Sequence, residues 1–199
     1  MIDLRMLTLA TLAASTLLTA CQSAGPLAPE GTEFFIAPKL RATLPEEACV
    51  KEQAARAALL AFEYGERHSR LIVVTSCRAG VLLMDGLSTA GLPLFTLRWD
   101  GKHLEASTRV PSQKLPDAKQ VLGEHLLASL PASLWQGHLP EEVLLTETKG
   151  GMRRVLESPT GTIETIRYAE GAPLEIIHHA FGYRITFTPL EDTKESAAP

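Results

Sequence analysis

The sequence predicts a mainly β protein of the α+β kind: a curved antiparallel sheet, or open half-barrel, with a helical lid. Three observations carry this. Most of the chain reads as short apolar stretches with a period of two, turn-forming residues separate those stretches, and the period changes once, to helical spacing, in mid-chain.

Arg56 to Tyr64 and Leu71 to Ser76 are apolar segments, and the polar stretch Gly65 to Arg70 between them predicts a hairpin connection. The Ala-rich stretch Glu46 to Leu60 leaves a helix open as the alternative for the first part. Val81 to Leu87 and Leu94 to Trp99 form the next pair, turning at Gly91-Leu92-Pro93. Phe95, Leu97 and Trp99 fall on one face of that strand and Thr96 and Arg98 on the other, as in a half-buried strand. Asp100-Gly101 is a turn signal, after which His103 to Val110 alternates again.

From Asp117 to Leu130 the apolar residues Ala118, Val121, Leu122 and Leu126 are spaced for a helix. Asp117 and Gln120 resemble a capping box, and Pro131 supplies a stop. Ala132 to Trp135 fits one more helical turn. Strands resume at Glu142 to Thr148, Arg153 to Glu157, Thr162 to Tyr168, Leu174 to His179 and Tyr183 to Leu190; Tyr183, Ile185 and Phe187 share a face. An antiparallel sheet with one apolar face must cover it, and the single helix is available to do so. The helix is expected to dock on the concave face and to leave a pocket of about 300 Å³ or more. Phe95, Leu97, Trp99, Val121, Leu122 and Trp135 are the expected hydrophobic lining, with burial in the core as the competing reading of the two tryptophans.

The start of the chain has a different character. Met6 to Ala20 is an uncharged apolar run, short for a membrane span and suited to the core of a signal peptide. It ends in Leu18-Thr19-Ala20-Cys21, which resembles the lipobox of bacterial lipoproteins. The resemblance implies cleavage before Cys21, with a lipid on its thiol that anchors the chain to a membrane. Asp3 cancels Arg5, so the usual positive start is missing. Gln22 to Gly31, rich in Pro, Gly, Ser and Ala, reads as a tether. The expected organisation is thus a signal peptide over 1–20, a tether over 21–31, one domain over 32–190 and a mobile polar tail over 191–199. In the enterobacterial sorting rule an aspartate after the cysteine retains a lipoprotein in the inner membrane. Gln22 stands there instead, which points to the outer membrane.

The formal net charge is −4, with charges scattered along the chain, which argues against a nucleic-acid partner. Cys49 and Cys77 can pair in an oxidising periplasm, and sequence alone leaves the pairing open. Little else suggests chemistry. Gly86 to Gly91 lacks the glycine spacing of a nucleophile elbow. His178 and His179 are adjacent on a strand and point to opposite faces, while His68, His103, His125 and His138 show no zinc-motif spacing. Glu46-Glu47 and Glu141-Glu142 follow prolines and read as helix starts or solvated turns. No phosphate-cradling glycine loop is present. The expectation is a protein that is not an enzyme and has no cofactor and no metal.

Leu71-Ile72-Val73-Val74, Leu82-Leu83-Met84 and Gly91-Leu92-Pro93-Leu94-Phe95-Thr96-Leu97-Arg98-Trp99-Asp100-Gly101, with Leu130-Pro131-Ala132-Ser133-Leu134-Trp135 and Gly182-Tyr183-Arg184-Ile185, resemble a group of uncharacterised bacterial outer-membrane lipoproteins. Members of that group are associated with aryl polyene gene clusters and are similar in layout to LolB, the outer-membrane receptor for lipoproteins. The resemblance implies an open half-barrel with an apolar interior for acyl chains. Its partners would be a membrane, a hydrophobic or acylated ligand and other envelope proteins. The expected function is binding or transfer of such a ligand. The alternative is a structural or assembly lipoprotein with a packed core and an external partner surface.

Overall fold

The computed structural model describes residues 31–110, 116–148 and 153–190. The expected signal peptide, Cys21, nearly all of the tether and the tail over 191–199 lie outside the described residues.

The domain opens with a hairpin outside the expected strands, β1 (Glu33–Ala37) and β2 (Leu40–Thr43). There follow β3 (Gln53–Tyr64), β4 (Arg67–Arg78), β5 (Val81–Leu87), β6 (Pro93–Trp99) and β7 (Leu104–Thr108). After the helix α1 (Ala118–Ser129) and a 3-10 turn (Ala132–Trp135) come β8 (Leu144–Glu147), β9 (Arg153–Ser158), β10 (Gly161–Ala169), β11 (Ala172–His178) and β12 (Tyr183–Leu190). Ten of these strands form one antiparallel sheet in the order β7-β6-β5-β4-β3-β12-β11-β10-β9-β8. The sheet is not closed. The predicted class, a mainly β fold with a covering helix, is the one observed, with a single α-helix among the described residues.

The sheet is strongly curved, and geometry requires it. Seven strand spacings separate β6 from β9, about 33 Å if the sheet were flat. Yet Val121 of α1 packs with Phe95 and Leu97 of β6, while the Leu127 carbonyl of the same helix accepts a hydrogen bond from Arg154 of β9. Those two helix residues lie only about 9 Å apart along the axis. The sheet must therefore roll around the helix.

Three local expectations are corrected. The Ala-rich stretch is not a helix from Gln53 onward: β3 is bonded to β4 on one side and β12 on the other. A strand with two hydrogen-bonded neighbours outweighs the modest helix preference of alanine. The β3–β4 connection is only Gly65-Glu66, with Gly65 at φ 57°, and His68 pairs with Glu63 inside the hairpin. Arg67 to Arg70 are strand because ladder hydrogen bonds require no apolar side chain, and this tip of the hairpin is solvated on both faces. The capping box is replaced by a simpler cap. The Asp117 carboxylate accepts the Lys119 N–H at 2.8 Å, while Gln120 turns inward to donate to Glu124.

Helix α1 lies between the sheet and the β1–β2 hairpin. Leu122, Leu126 and Leu127 are buried with Phe34, Ile36, Trp99 and Trp135 in the main core. Phe34 meets Trp135 edge-on, with ring centroids 6.1 Å apart. The hairpin can approach this closely because residue 123 is glycine. A Cβ there would stand 2.4 Å from the Phe34 ring. The Asp100-Gly101 turn forms as expected. The Asp100 carboxylate accepts the N–H groups of Lys102 and His103 at 2.9 and 2.8 Å, which holds its pKa down at about 2. Gly101 sits at φ 93°, and a Cβ there would meet the Glu46 carbonyl oxygen at 2.1 Å.

Candidate apolar groove and buried polar cluster

Helix α1 is seated firmly through its middle and leaves space at both ends. At the N-terminal end a pocket of about 400 Å³ is lined by Phe95, Leu97, Thr108, Pro116, Ala118 and Val121. A groove of about 840 Å³ opens beyond the C-terminal half of the helix, between His125, Ala128 and Leu130 on one side and Ala58, Val73 and Phe187 of the sheet on the other. The register explains the space. Ala58 lies opposite Val73 on one flank and Pro189 on the other, and Leu60 lies between Leu71 and Phe187. Ala58, small at the centre of the sheet, leaves a gap that its larger neighbours do not fill.

The two cavities divide the expected lining. Phe95, Leu97 and Val121 line the smaller one. Trp99, Leu122 and Trp135 line neither; each is 1% exposed in the solid core. The two tryptophans take the competing reading, burial in the core, and Leu122 joins them there. Trp99 is held in place by its indole N–H, which donates to the Pro45 carbonyl at 3.3 Å. The larger groove is not visible in the expected strand Arg56 to Tyr64, because the space beside an alanine depends on neighbours remote in sequence.

The groove has a polar end. Arg154 of β9 donates to Glu147 through Nε at 2.8 Å and to the Leu127 carbonyl, and its guanidinium lies 5.7 Å from the centre of the Tyr168 ring. The Tyr168 hydroxyl donates to the Ala128 carbonyl at 2.9 Å. Two side chains from the sheet thus satisfy carbonyls in the last turn of a helix that has no basic residue there. Burial pushes Tyr168 up to about 12 and His125, in the groove wall, down to about 4. Cys49 and Cys77 border the groove as a disulfide, with Cα atoms 6.2 Å apart.

Beneath the helix lies a cluster that no sequence spacing announced. Glu124 of α1, Glu164 of β10 and His178 of β11 are 6%, 1% and 1% exposed. Their polar atoms lie within 4.8 Å of one another. Burial, followed by the neighbouring Glu124 charge, raises Glu164 well above the usual carboxylate range. Burial lowers His178. His179 points to the other face, where its Nε2 pairs with the Thr165 hydroxyl at 3.1 Å. The two histidines therefore make separate contacts, His178 as the last residue of β11 and His179 in the turn after it, so that the strand ends one residue short of its expected end. Two members of the cluster did leave a signal: Glu164 shares a face with Ile166, and His178 shares one with Ile176. A titratable residue on the apolar face of a strand needs a buried partner.

Fold and cavities define a class of protein, an open antiparallel half-barrel with one helix seated across its concave face and apolar space at both ends of that helix. The chain belongs to the family described as Protein of unknown function (DUF3261), whose model matches residues 55–191. No curated protein matches the chain. The match begins in β3, so the β1–β2 hairpin that supplies Phe34 and Ile36 to the core lies outside it. Among the described residues, no helix is long and apolar enough to cross a membrane.

Proposed function

We propose that the chain is a lipid-anchored outer-membrane lipoprotein whose domain faces the periplasm and binds or transfers a hydrophobic or acylated molecule, in the manner of LolB. The observation that carries this is the groove of about 840 Å³ with Ala58, Leu60, Val73 and Phe187 among its walls. Ligand sites commonly enclose roughly 300–1,000 Å³ behind mostly apolar walls. A cavity with such walls suits an acyl chain, and Tyr168 and the Arg154–Glu147 pair offer a polar end. The Leu18-Thr19-Ala20-Cys21 sequence supports the anchor, and the resemblance to aryl polyene-associated lipoproteins supports the place.

The groove is tested with a fluorescent long-chain acyl probe and the mature protein. Micromolar binding is expected, weakened at least about tenfold by Ala58→Trp, which fills the groove from a half-buried position without opening the core. Circular dichroism of the variant should match that of the wild type. A substitution at Leu122 would not serve, because that side chain belongs to the solid core. No probe binding to the wild type would favour the alternative, a structural or assembly lipoprotein, for which the packed core around Trp99 and Trp135 speaks. The anchor has its own test. Cys21→Ser should abolish incorporation of labelled palmitate, and equal labelling of both proteins would refute the assignment.

A further inference from the structure

We propose that Glu124, Glu164 and His178 form a closed site for one divalent first-row transition ion of the zinc type, which ties α1 to the sheet. Among the described residues, three atoms here have no hydrogen-bond partner although fully buried: Glu124 Oε2, Glu164 Oε1 and His178 Nε2. Buried polar atoms are rarely left so, because each forfeits the hydration it had in the unfolded chain. One ligand atom of each of the three side chains lies within 4.8 Å of the other two. His178 Nε2 stands 3.7 Å from Glu124 Oε1 and 3.8 Å from Glu164 Oε2. Those distances exceed hydrogen-bond reach. They approach the separation of about 3.4 Å between neighbouring ligands in a tetrahedral shell with bonds near 2.1 Å.

A proton shared between the carboxylates would satisfy one contact and leave the imidazole unpaired. A dication satisfies all three and neutralises two carboxylates. Among the described residues no Lys or Arg nitrogen lies within ion-pair distance of either carboxylate, Arg154 being engaged by Glu147. The ligand set, one imidazole and two carboxylates, suits a transition ion of intermediate softness.

The surroundings hold these side chains in place. Glu124 Oε1 accepts from the Tyr183 hydroxyl at 2.5 Å and from Gln120 Nε2 at 2.8 Å, which leaves Oε2 for an ion. The His178 ring packs against those of Phe181 and Tyr183, with centroids 4.6 and 4.7 Å away. Coordination through Nε2 puts the ring proton on Nδ1, which now accepts the Phe181 N–H at a long 3.3 Å. Metal binding must therefore displace that contact and change the Phe181 amide environment.

The test uses the mature full-length protein in detergent, stripped with chelator and reloaded with Zn²⁺, with Mg²⁺ and Ca²⁺ as hard-ion controls. Expected are one Zn²⁺ per chain, a rise in Tm of at least about 5 °C, and a shift of the Phe181 amide resonance. Glu164→Gln and, separately, Glu124→Gln should weaken Zn²⁺ binding at least about tenfold. These isosteric changes also relieve the repulsion of the pair, so both variants should be no less stable than wild type without metal. If one does not fold, the other and the Phe181 resonance still decide. Absence of Zn²⁺ binding, equal binding by the Gln variants, an unmoved Phe181 amide, or a preference for Mg²⁺ or Ca²⁺ would each overturn the proposal.

Discussion

Arg154→Met should destabilise the fold by about 1–3 kcal/mol, the usual cost of leaving a buried acceptor without its donor. Arg154 is buried, although Glu147 is partly exposed. The loss has three parts. The Leu127 carbonyl, at the end of a helix and away from water, forfeits its donor. The Tyr168 ring loses the cation near its face. Glu164 loses the positive charge that partly offsets its burial. Arg154→Lys should recover only part of the stability, since one ammonium cannot reproduce a planar fork that serves Glu147 and a carbonyl together. Urea unfolding of the three proteins decides the matter, and a change below about 1 kcal/mol for the Met variant would contradict this account.

Removing the Cys49–Cys77 bond should cost about 3–4 kcal/mol. The bond spans a sequence separation of 28, and closing a loop of that length restrains the unfolded chain by about that amount. The segment it fixes, between the β1–β2 hairpin and β3, has little regular structure of its own and forms one wall of the groove. The double Cys→Ser variant should therefore lose acyl-probe affinity in addition to stability. Two thiols that alkylate readily in the native, unreduced protein would show that the bond does not form.

The parts of the fold legible in the sequence are those where one face is wet and the other dry. In β6 the alternation of Phe95, Leu97 and Trp99 with Thr96 and Arg98 matches the observed burial, and the helical spacing from Ala118 to Leu126 marks α1. Where both faces share an environment, periodicity carries no information. The tip of β4 is exposed on both sides, so Arg67 to Arg70 read as a loop. Alanine is ambiguous in another way. The same residue that favours a helix in isolation serves β3 by being small, and only the neighbours Val73 and Pro189 reveal that use.

The site was legible in part for the same reason. Phe95, Leu97 and Val121 do line a cavity because they stand where an apolar strand face and a helix stripe begin to separate. Trp99, Leu122 and Trp135 belong to equally apolar stretches and meet a full complement of neighbours instead, Phe34 among them. That neighbour comes from a hairpin whose two short strands offered too little periodicity to read. The Glu124–Glu164–His178 cluster draws one residue from each of three elements. Spacing within any one of them could not show that the three converge.

The strand order has a consequence for how the molecule comes into being. The last strand, β12, inserts at the centre of the sheet, where Leu60 of β3 lies beside Phe187. A chain emerging N-terminus first, from a ribosome or a translocation pore, can build β3 to β7 as successive hairpins. It then holds them with the free flank of β3 unpaired until almost the whole sequence has appeared. Pairings so remote in sequence form slowly and expose sticky edges in the interval. Half-made chains are thus open to strand exchange with one another, and the arrival of a single late segment decides whether two hairpin stacks become one protein.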